Sequence, residues 1–275
     1  MRPVRIRRLA RNATVSQETP PRRAVTYLAF SGIGNRLQAH LMAAEVARRT
    51  GRALAVWWPR NPHFSSLFPE LFDHGSTRLP RLGRPYLLDY DQTTDHPTTE
   101  RWEEIEEDLI VLGTRWQYIW FDNLKRRLGE HREQALATLR PHPEVLEQAD
   151  ALSADWDDRV IGVHVRLGDL VTLGTEFCVP VSRYLERMRA LEQERGRCRF
   201  YLASDGSEAE IRPILDEFGD RLEWRLPSSR ATGRGGHDAL VDQLLLARTC
   251  LILRNGKSSF SLVPRLMSGA EEICV

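Results

Sequence analysis

Apolar residues in this chain fall into short runs, and several of the stretches between them carry a helical period. Ala24–Phe30 (AVTYLAF) is an apolar run of strand length. A glycine-bearing turn, SGIGNRLQ, follows it. Leu37, Leu41, Ala44 and Ala47 then recur at helical spacing until Gly51, which predicts a helix stopped by glycine. Ala53–Trp58 (ALAVWW) reads as the next strand, so the chain opens with a βαβ unit. The middle is polar and aromatic. HFSSLFPELF through LLDYDQTTDHPTTE is expected to hold little regular structure. RWEEIEEDLIVLG, QYIWFDNLKRRLGEHREQALATL and HPEVLEQADALSADW are predicted to be helices, the last beginning near Pro143.

From Arg159 the alternation sharpens. Strand VIGVHV precedes helix VSRYLERMRALEQE, and strand CRFYLAS precedes helix SEAEIRPILDEFG. Strand LEWRLP precedes a Gly-rich loop and helix DALVDQLLLART. Strand CLILRN precedes helix SSFSLVPRLMS, and EEICV reads as a last strand after which no further domain is expected. Strands alternating with helices imply a mostly parallel sheet covered on both faces. The expected fold class is α/β with two Rossmann-like domains, residues 23–156 and 157–275, after a tail at 1–22.

Ligands of such sheets sit beyond the carboxyl ends of the strands. Four groups fall there: Gly32–Arg36, His164–Asp169, Ser204–Gly206 and Asn255–Phe260. Together they predict one ligand site between two α/β domains. Arg166 is costly to bury unpaired, so either Asp169 or a bound phosphate is its expected partner. His164 lies two residues earlier on the same strand face. It either donates to a phosphate or ribose or is a core histidine. Gly256-Lys257-Ser258 resembles part of a P-loop, but Leu251 stands where the first glycine is required. Ser258 and Ser259 are expected to cap a helix, and the N–H groups of that helix end favour an anion. Asp205 precedes a helix, where it either caps or accepts bonds from a base or ribose. SGIGNRL lacks the third glycine of a dinucleotide fingerprint, since Leu37 occupies it. Gly34 is expected to let backbone approach a ligand, with Asn35 and Arg36 lining the cleft.

Composition narrows the class. The chain has 275 residues, 41% of them hydrophobic, enough for one large or two ordinary domains. A formal net charge of +1 argues against a nucleic-acid or membrane-surface partner. Among 39 basic residues only Lys125 and Lys257 are lysines, as in proteins of GC-rich bacterial genomes. Cys178, Cys198, Cys250 and Cys274 lack C-x-x-C spacing and are expected to be buried free thiols. No stretch approaches the ~20 apolar residues of a membrane span. Met1–Arg22 is basic without an apolar core, so it is expected to be a disordered tail rather than a secretory signal. The glycosylation triplet Asn12-Ala13-Thr14 therefore carries no weight, and a cytoplasmic location is expected.

Four segments, in order, resemble the GDP-fucose-dependent fucosyltransferase superfamily. VIGVHVRLGD is similar to its H-x-R-x-G/T-D segment and GIGNRLQAH to its first Gly-Asn loop. FYLASD is similar to its A-[ST]-D strand end, and DQLLLARTCLILRNGKSSFS to its closing N-x-x-S-S-F segment. The resemblance implies a two-domain GT-B glycosyltransferase that inverts the anomeric centre and needs no metal or other cofactor. GDP-fucose would be the donor and a hydroxyl-bearing glycan or small molecule the acceptor. By the same resemblance His164 and Arg166 hold GDP, Asp205 reads guanine, and Ser258, Ser259 and Phe260 lie near the phosphates. The second arginine of the pattern is Leu167 here. GDLVTLGTE is similar to an α1,6-fucosyltransferase pattern whose glutamate is the base, which points to Glu176. Arg166, Lys257 and the helix end at Ser258 would stabilise the leaving diphosphate. The alternatives are another nucleotide-sugar donor, sulfonate transfer from a phosphoadenosine donor, and a GDP-binding module without catalysis. Trp57, Trp58, Phe64, Trp102, Trp116 and Trp120 suit either an acceptor or a core, with core the expected use of most.

Overall fold

The computed structural model describes residues 23–62, 64–73, 85–89, 101–119, 121–168, 178–226, 228 and 233–275. They form two compact units that meet in sequence at His142/Pro143, with residues 233–236 grouped with the first and His237 onward with the second.

The first unit holds strands β1 (Ala24–Tyr27), β2 (Ala53–Leu54), β3 (Tyr86–Leu88) and β4 (Leu109–Leu112). They form one parallel sheet in the order β2-β1-β4-β3. Every residue of β1 and β4 is buried, as central strands covered on both faces require. Helix α1 (Ile33–Thr50) follows β1 and ends at Gly51, whose φ of 61° is the left-handed C-cap expected there. Short helices α2 (Phe121–Leu128) and α3 (Arg132–Leu136) follow β4.

Two expectations fail in this unit. RWEEIEEDLIVLG is not a helix. Trp102–Glu104 makes a single 3-10 turn, and Leu109–Leu112 is β4, paired with β1 and β3. The glutamates and spaced apolar residues of its first half mimic a helical period. The decisive signal is the four-residue run LIVL, fully buried with two β-branched residues. The stretch expected to be irregular contributes the edge strand β3.

Helix α1 buries polar as well as apolar residues, including Arg36, Gln38, His40 and Glu45. The Thr138 hydroxyl donates to Ala135 O (2.6 Å), so it accepts from His40 Nε2 (2.9 Å). His40 Nδ1 lies 3.0 Å from the Tyr27 hydroxyl. The ring stacks on Phe68, with centroids 5.1 Å apart. His40 thus ties α1 to β1 and to the turn after α3.

The second unit holds β5 (Ile161–Val165), β6 (Phe200–Ser204), β7 (Leu222–Trp224), β8 (Leu251–Arg254) and β9 (Glu271–Cys274). All pair in parallel in the order β7-β6-β5-β8-β9. The helices are α4 (Pro143–Leu152), α5 (Val181–Arg195), α6 (Glu208–Phe218), α7 (Gly233–Leu246) and α8 (Leu262–Ser268). The second-unit strands predicted from alternation are all present. Helix α4 is fixed to this unit by Arg248, which donates to Ser153 Oγ (2.6 Å) and pairs with Asp150. Gly162 sits mid-strand because a Cβ there would lie 2.8 Å from Thr249 Oγ1 and 2.9 Å from Leu246 Cδ2. Among the described residues, no helix is long and apolar enough to cross a membrane.

The four cysteines are free, as expected, but only Cys198 is buried and Cys274 is exposed. Residues 1–22, with the predicted tail, lie outside the described residues.

Candidate functional site

In the second unit the chain runs from β5 outward through β6 to β7, then returns to β8 and β9 on the other side of β5. The connections leaving β5 and β8 diverge. A crevice at a topological switch point therefore opens at their carboxyl ends. His164 and Arg166 stand at one of those ends and Asn255–Ser261 at the other.

His164 is buried. Its Nδ1 lies 3.3 Å from Ser261 Oγ, and its ring packs on Phe260 at 4.8 Å between centroids. Ser261, fully buried, was missed in the sequence, although it ends the run SSFS.

Arg166 pairs with Asp205 at the end of the adjacent strand β6, Nη1 to Oδ2 at 2.6 Å. The other carboxylate oxygen accepts the Leu167 backbone N–H at 2.8 Å. The two side chains are 19% and 15% exposed, so the bond forms in a largely dry setting. Asp169, the partner weighed from sequence, lies outside the described residues. Asp205 does not cap α6. Ser207 does, in a capping box with Glu210. Its hydroxyl and its backbone N–H each donate to Glu210 Oε2 at 2.7 Å, and these bonds hold the Glu210 carboxyl below its ordinary value. Leu167 is buried in the core of this unit. It packs so closely on Gly206 that a Cβ there would fall 2.6 Å from Leu167 Cδ1.

The segment after β8 corrects a further expectation. Ser258 and Ser259 do not cap a helix. Helix α8 begins at Leu262, three residues beyond Ser259, and spans only seven residues. Residues 255–261 instead fold as tight turns. Lys257 N–H donates to Asn255 Oδ1 (2.8 Å), Ser258 N–H to Asn255 O (3.1 Å) and Phe260 N–H to Ser258 Oγ (3.4 Å). Helix-terminal N–H groups are thus not available for an anion at Ser258. The organiser is Arg254, which is buried. Its Nη1 donates to Asn255 O and Ser258 O, and its Nε to Glu272 of β9 at 2.7 Å. Sequence reading passed over Arg254 because it sits in an apolar strand like any edge charge. Lys257 is exposed at the tip of this loop.

In the first unit the carboxyl ends of the central strands β1 and β4 lie side by side. Gly34 is buried and Asn35 half-buried in the first turn of α1. Arg36, expected to line a cleft, is enclosed instead. Its Nε donates to Ser31 O (2.6 Å) and Nη1 to Pro59 O (2.9 Å). The guanidinium lies over Trp58 and Phe64, at 5.4 and 5.1 Å. Burial lowers its pKa to about 10, and the nearby Tyr27 works in the opposite sense. Arg36 therefore joins the segments that follow β1 and β2. Gln117, also unanticipated, joins the segments after β1 and β4: its Oε1 accepts the N–H groups of Phe30 (3.0 Å) and Ser31 (3.1 Å). Trp58, Phe64, Trp102 and Trp116 are buried in the core. Glu176 and Trp120 lie outside the described residues.

This arrangement defines a class of fold: the chain has the fold of the GDP-fucose fucosyltransferases. Fucosyltransferase NodZ from Bradyrhizobium matches it with a TM-score of 0.61 at 20% identity, over 90% of this chain and 94% of that one. FUT1 of Arabidopsis thaliana, in complex with GDP, matches with a TM-score of 0.58 at 13% identity, over 97% of this chain and 72% of that one. POFUT1 in complex with GDP-fucose matches with a TM-score of 0.54 at 15% identity, over 94% of this chain and 98% of that one. No protein-family model matches the chain, and no curated protein matches it by sequence.

Proposed function

We propose that the chain is an inverting, metal-independent glycosyltransferase that moves fucose from GDP-fucose to a hydroxyl of a glycan or other small acceptor. The observation that carries the reading is Arg166, oriented by Asp205 at the crevice beside His164. NodZ has been crystallised with GDP-fucose soaked in, so a neighbour in fold takes this donor.

The chemistry follows from where charge develops. The bond from fucose C1 to the β-phosphate oxygen breaks, and its electron pair stays on the diphosphate. The acceptor oxygen bonds to C1 from the opposite face and gives up its proton to a carboxylate, for which Glu176 is our candidate. Arg166 and exposed Lys257 supply positive charge to the departing diphosphate, a role otherwise open to a divalent ion. Losing one such contact typically slows the step by roughly 10²–10³-fold. Asp205, with both oxygens engaged by Arg166 and Leu167, orients the arginine in this scheme, and reading of guanine needs a further group or a rearrangement. In this reading the two parallel-sheet units are the Rossmann-like domains of a GT-B enzyme.

The test is donor turnover in EDTA. GDP-fucose should be consumed with release of GDP, and transferred sugar should carry the anomeric configuration opposite to the donor's. Turnover of UDP-sugars or sulfonate donors in preference to GDP-fucose would replace the donor. GDP binding with no turnover under any acceptor would leave a binding module.

A further inference from the structure

Three aromatic rings at the carboxyl end of the first unit's sheet have no evident part in its core. Phe30, just after β1, is 41% exposed, and Tyr118, after β4, is 53% exposed. Trp57, after β2, is half-buried. Phe30 and Trp57 meet edge to face, with centroids 5.3 Å apart and planes at 78°, so they form a corner rather than a flat stack.

The rings are held, not dangling. Gln117 Oε1 takes the Phe30 and Ser31 N–H groups, and Asn61 Nδ2 donates to Phe30 O at 2.6 Å. The Tyr118 hydroxyl is fixed at 2.9 Å from Ser31 Oγ. Arg36 holds Ser31 O from beneath. An exposed loop with this many backbone and side-chain anchors has already lost the entropy that binding would otherwise cost it. The Trp57 indole N–H has no protein partner among the described residues. The cluster therefore offers apolar faces, hydroxyls at the rim and an indole N–H available to a ligand, at the carboxyl end of a parallel sheet.

The geometry points to a carbohydrate subsite: Phe30, Trp57 and Tyr118 receive a sugar ring of the acceptor, its C–H face on the aromatics and its hydroxyls toward Trp57 Nε1 and Ser31. A pyranose with equatorial substituents has this mixture of an apolar face and a polar edge. A protein hot spot would bury a larger apolar area than three rings interrupted by polar groups provide. The inference rests on the transferase reading for the word acceptor, but its test does not.

The full-length protein would be titrated by calorimetry with cellotetraose and chitotetraose, each alone and after saturation with GDP. We expect saturable binding of at least one, weakened about tenfold by Phe30→Ala and by Tyr118→Ala, the loss of one stacked ring. Tyr118→Phe, which keeps the ring, should lose less than Tyr118→Ala. GDP affinity should not change in these variants. Binding of neither oligosaccharide, or binding indifferent to both alanine variants, would overturn the subsite. So would a parallel fall in GDP affinity, which would make the platform a nucleobase seat. Oligosaccharide binding with these dependences but no GDP binding by the wild type would instead sink the donor reading and leave the subsite standing.

Discussion

Asp205 is the residue whose removal tests the site's architecture most sharply. Its carboxylate accepts from Arg166 Nη1 and from the Leu167 N–H. A hydrogen bond to a charged group contributes about 1.5–3 kcal/mol, and a buried donor left unsatisfied costs about 1–3 kcal/mol. The site is not fully dry, since the pair is 15–19% exposed, and water recovers part of each term. Asp205→Ala should therefore destabilise the second unit by about 2–4 kcal/mol. Asp205→Asn keeps an acceptor for Leu167 and should cost about half as much. Arg166→Ala keeps the Leu167 bond to Asp205 and should cost about 1–2 kcal/mol. If the two side chains act on each other, the double variant costs less than the sum of the singles, by about 1–2 kcal/mol. Urea denaturation followed by far-UV circular dichroism on the four proteins gives these values, the second unit's transition being the one that shifts. Additive effects, or an Asp205→Ala cost under about 0.5 kcal/mol, would refute an arginine oriented by this carboxylate.

Other consequences are as specific. Ser261→Ala removes a polar partner of His164 and should cost about 0.5–1.5 kcal/mol while weakening GDP binding, measured by calorimetry; unchanged affinity would detach His164 from the donor. Gly162→Ala should destabilise by about 1–3 kcal/mol through overpacking against Thr249 and Leu246, as a thermal melt would show. Glu210 is held below its ordinary pKa by Ser207, so its contribution is present above its unfolded-state pKa and fades as pH falls through the lower folded value. Ser207→Ala should cost about 1 kcal/mol near neutral pH and progressively less in acid, read from denaturation midpoints across that range.

Much of the second unit was legible because its strands are short apolar runs closed by chemically distinctive residues. The runs VIGVHV and CRFYLAS lead to His164, Arg166 and Asp205, and of these Arg166 and Asp205 meet at adjacent strand ends. The first unit was harder. LIVL was hidden behind a glutamate-rich stretch with a helical period, and β3 is only three residues long. Partners were least legible of all. Asp205 lies 39 residues from Arg166 and Gln117 about 86 from Ser31, and nothing local marks them as paired. Ser258 and Ser259 resembled helix caps because capping residues and turn residues share a composition. Arg254, whose bonds set the turns there, sits inside an apolar strand.

The most direct measurement is calorimetric titration of the purified protein with GDP, UDP and ADP in EDTA, repeated on Arg166→Ala. The account predicts binding of GDP in preference to the other two, without metal, and its loss by more than tenfold in the variant, equivalent to about 1.4 kcal/mol or more. No binding of GDP, binding that appears only when metal is supplied, or equal affinity in Arg166→Ala would contradict it.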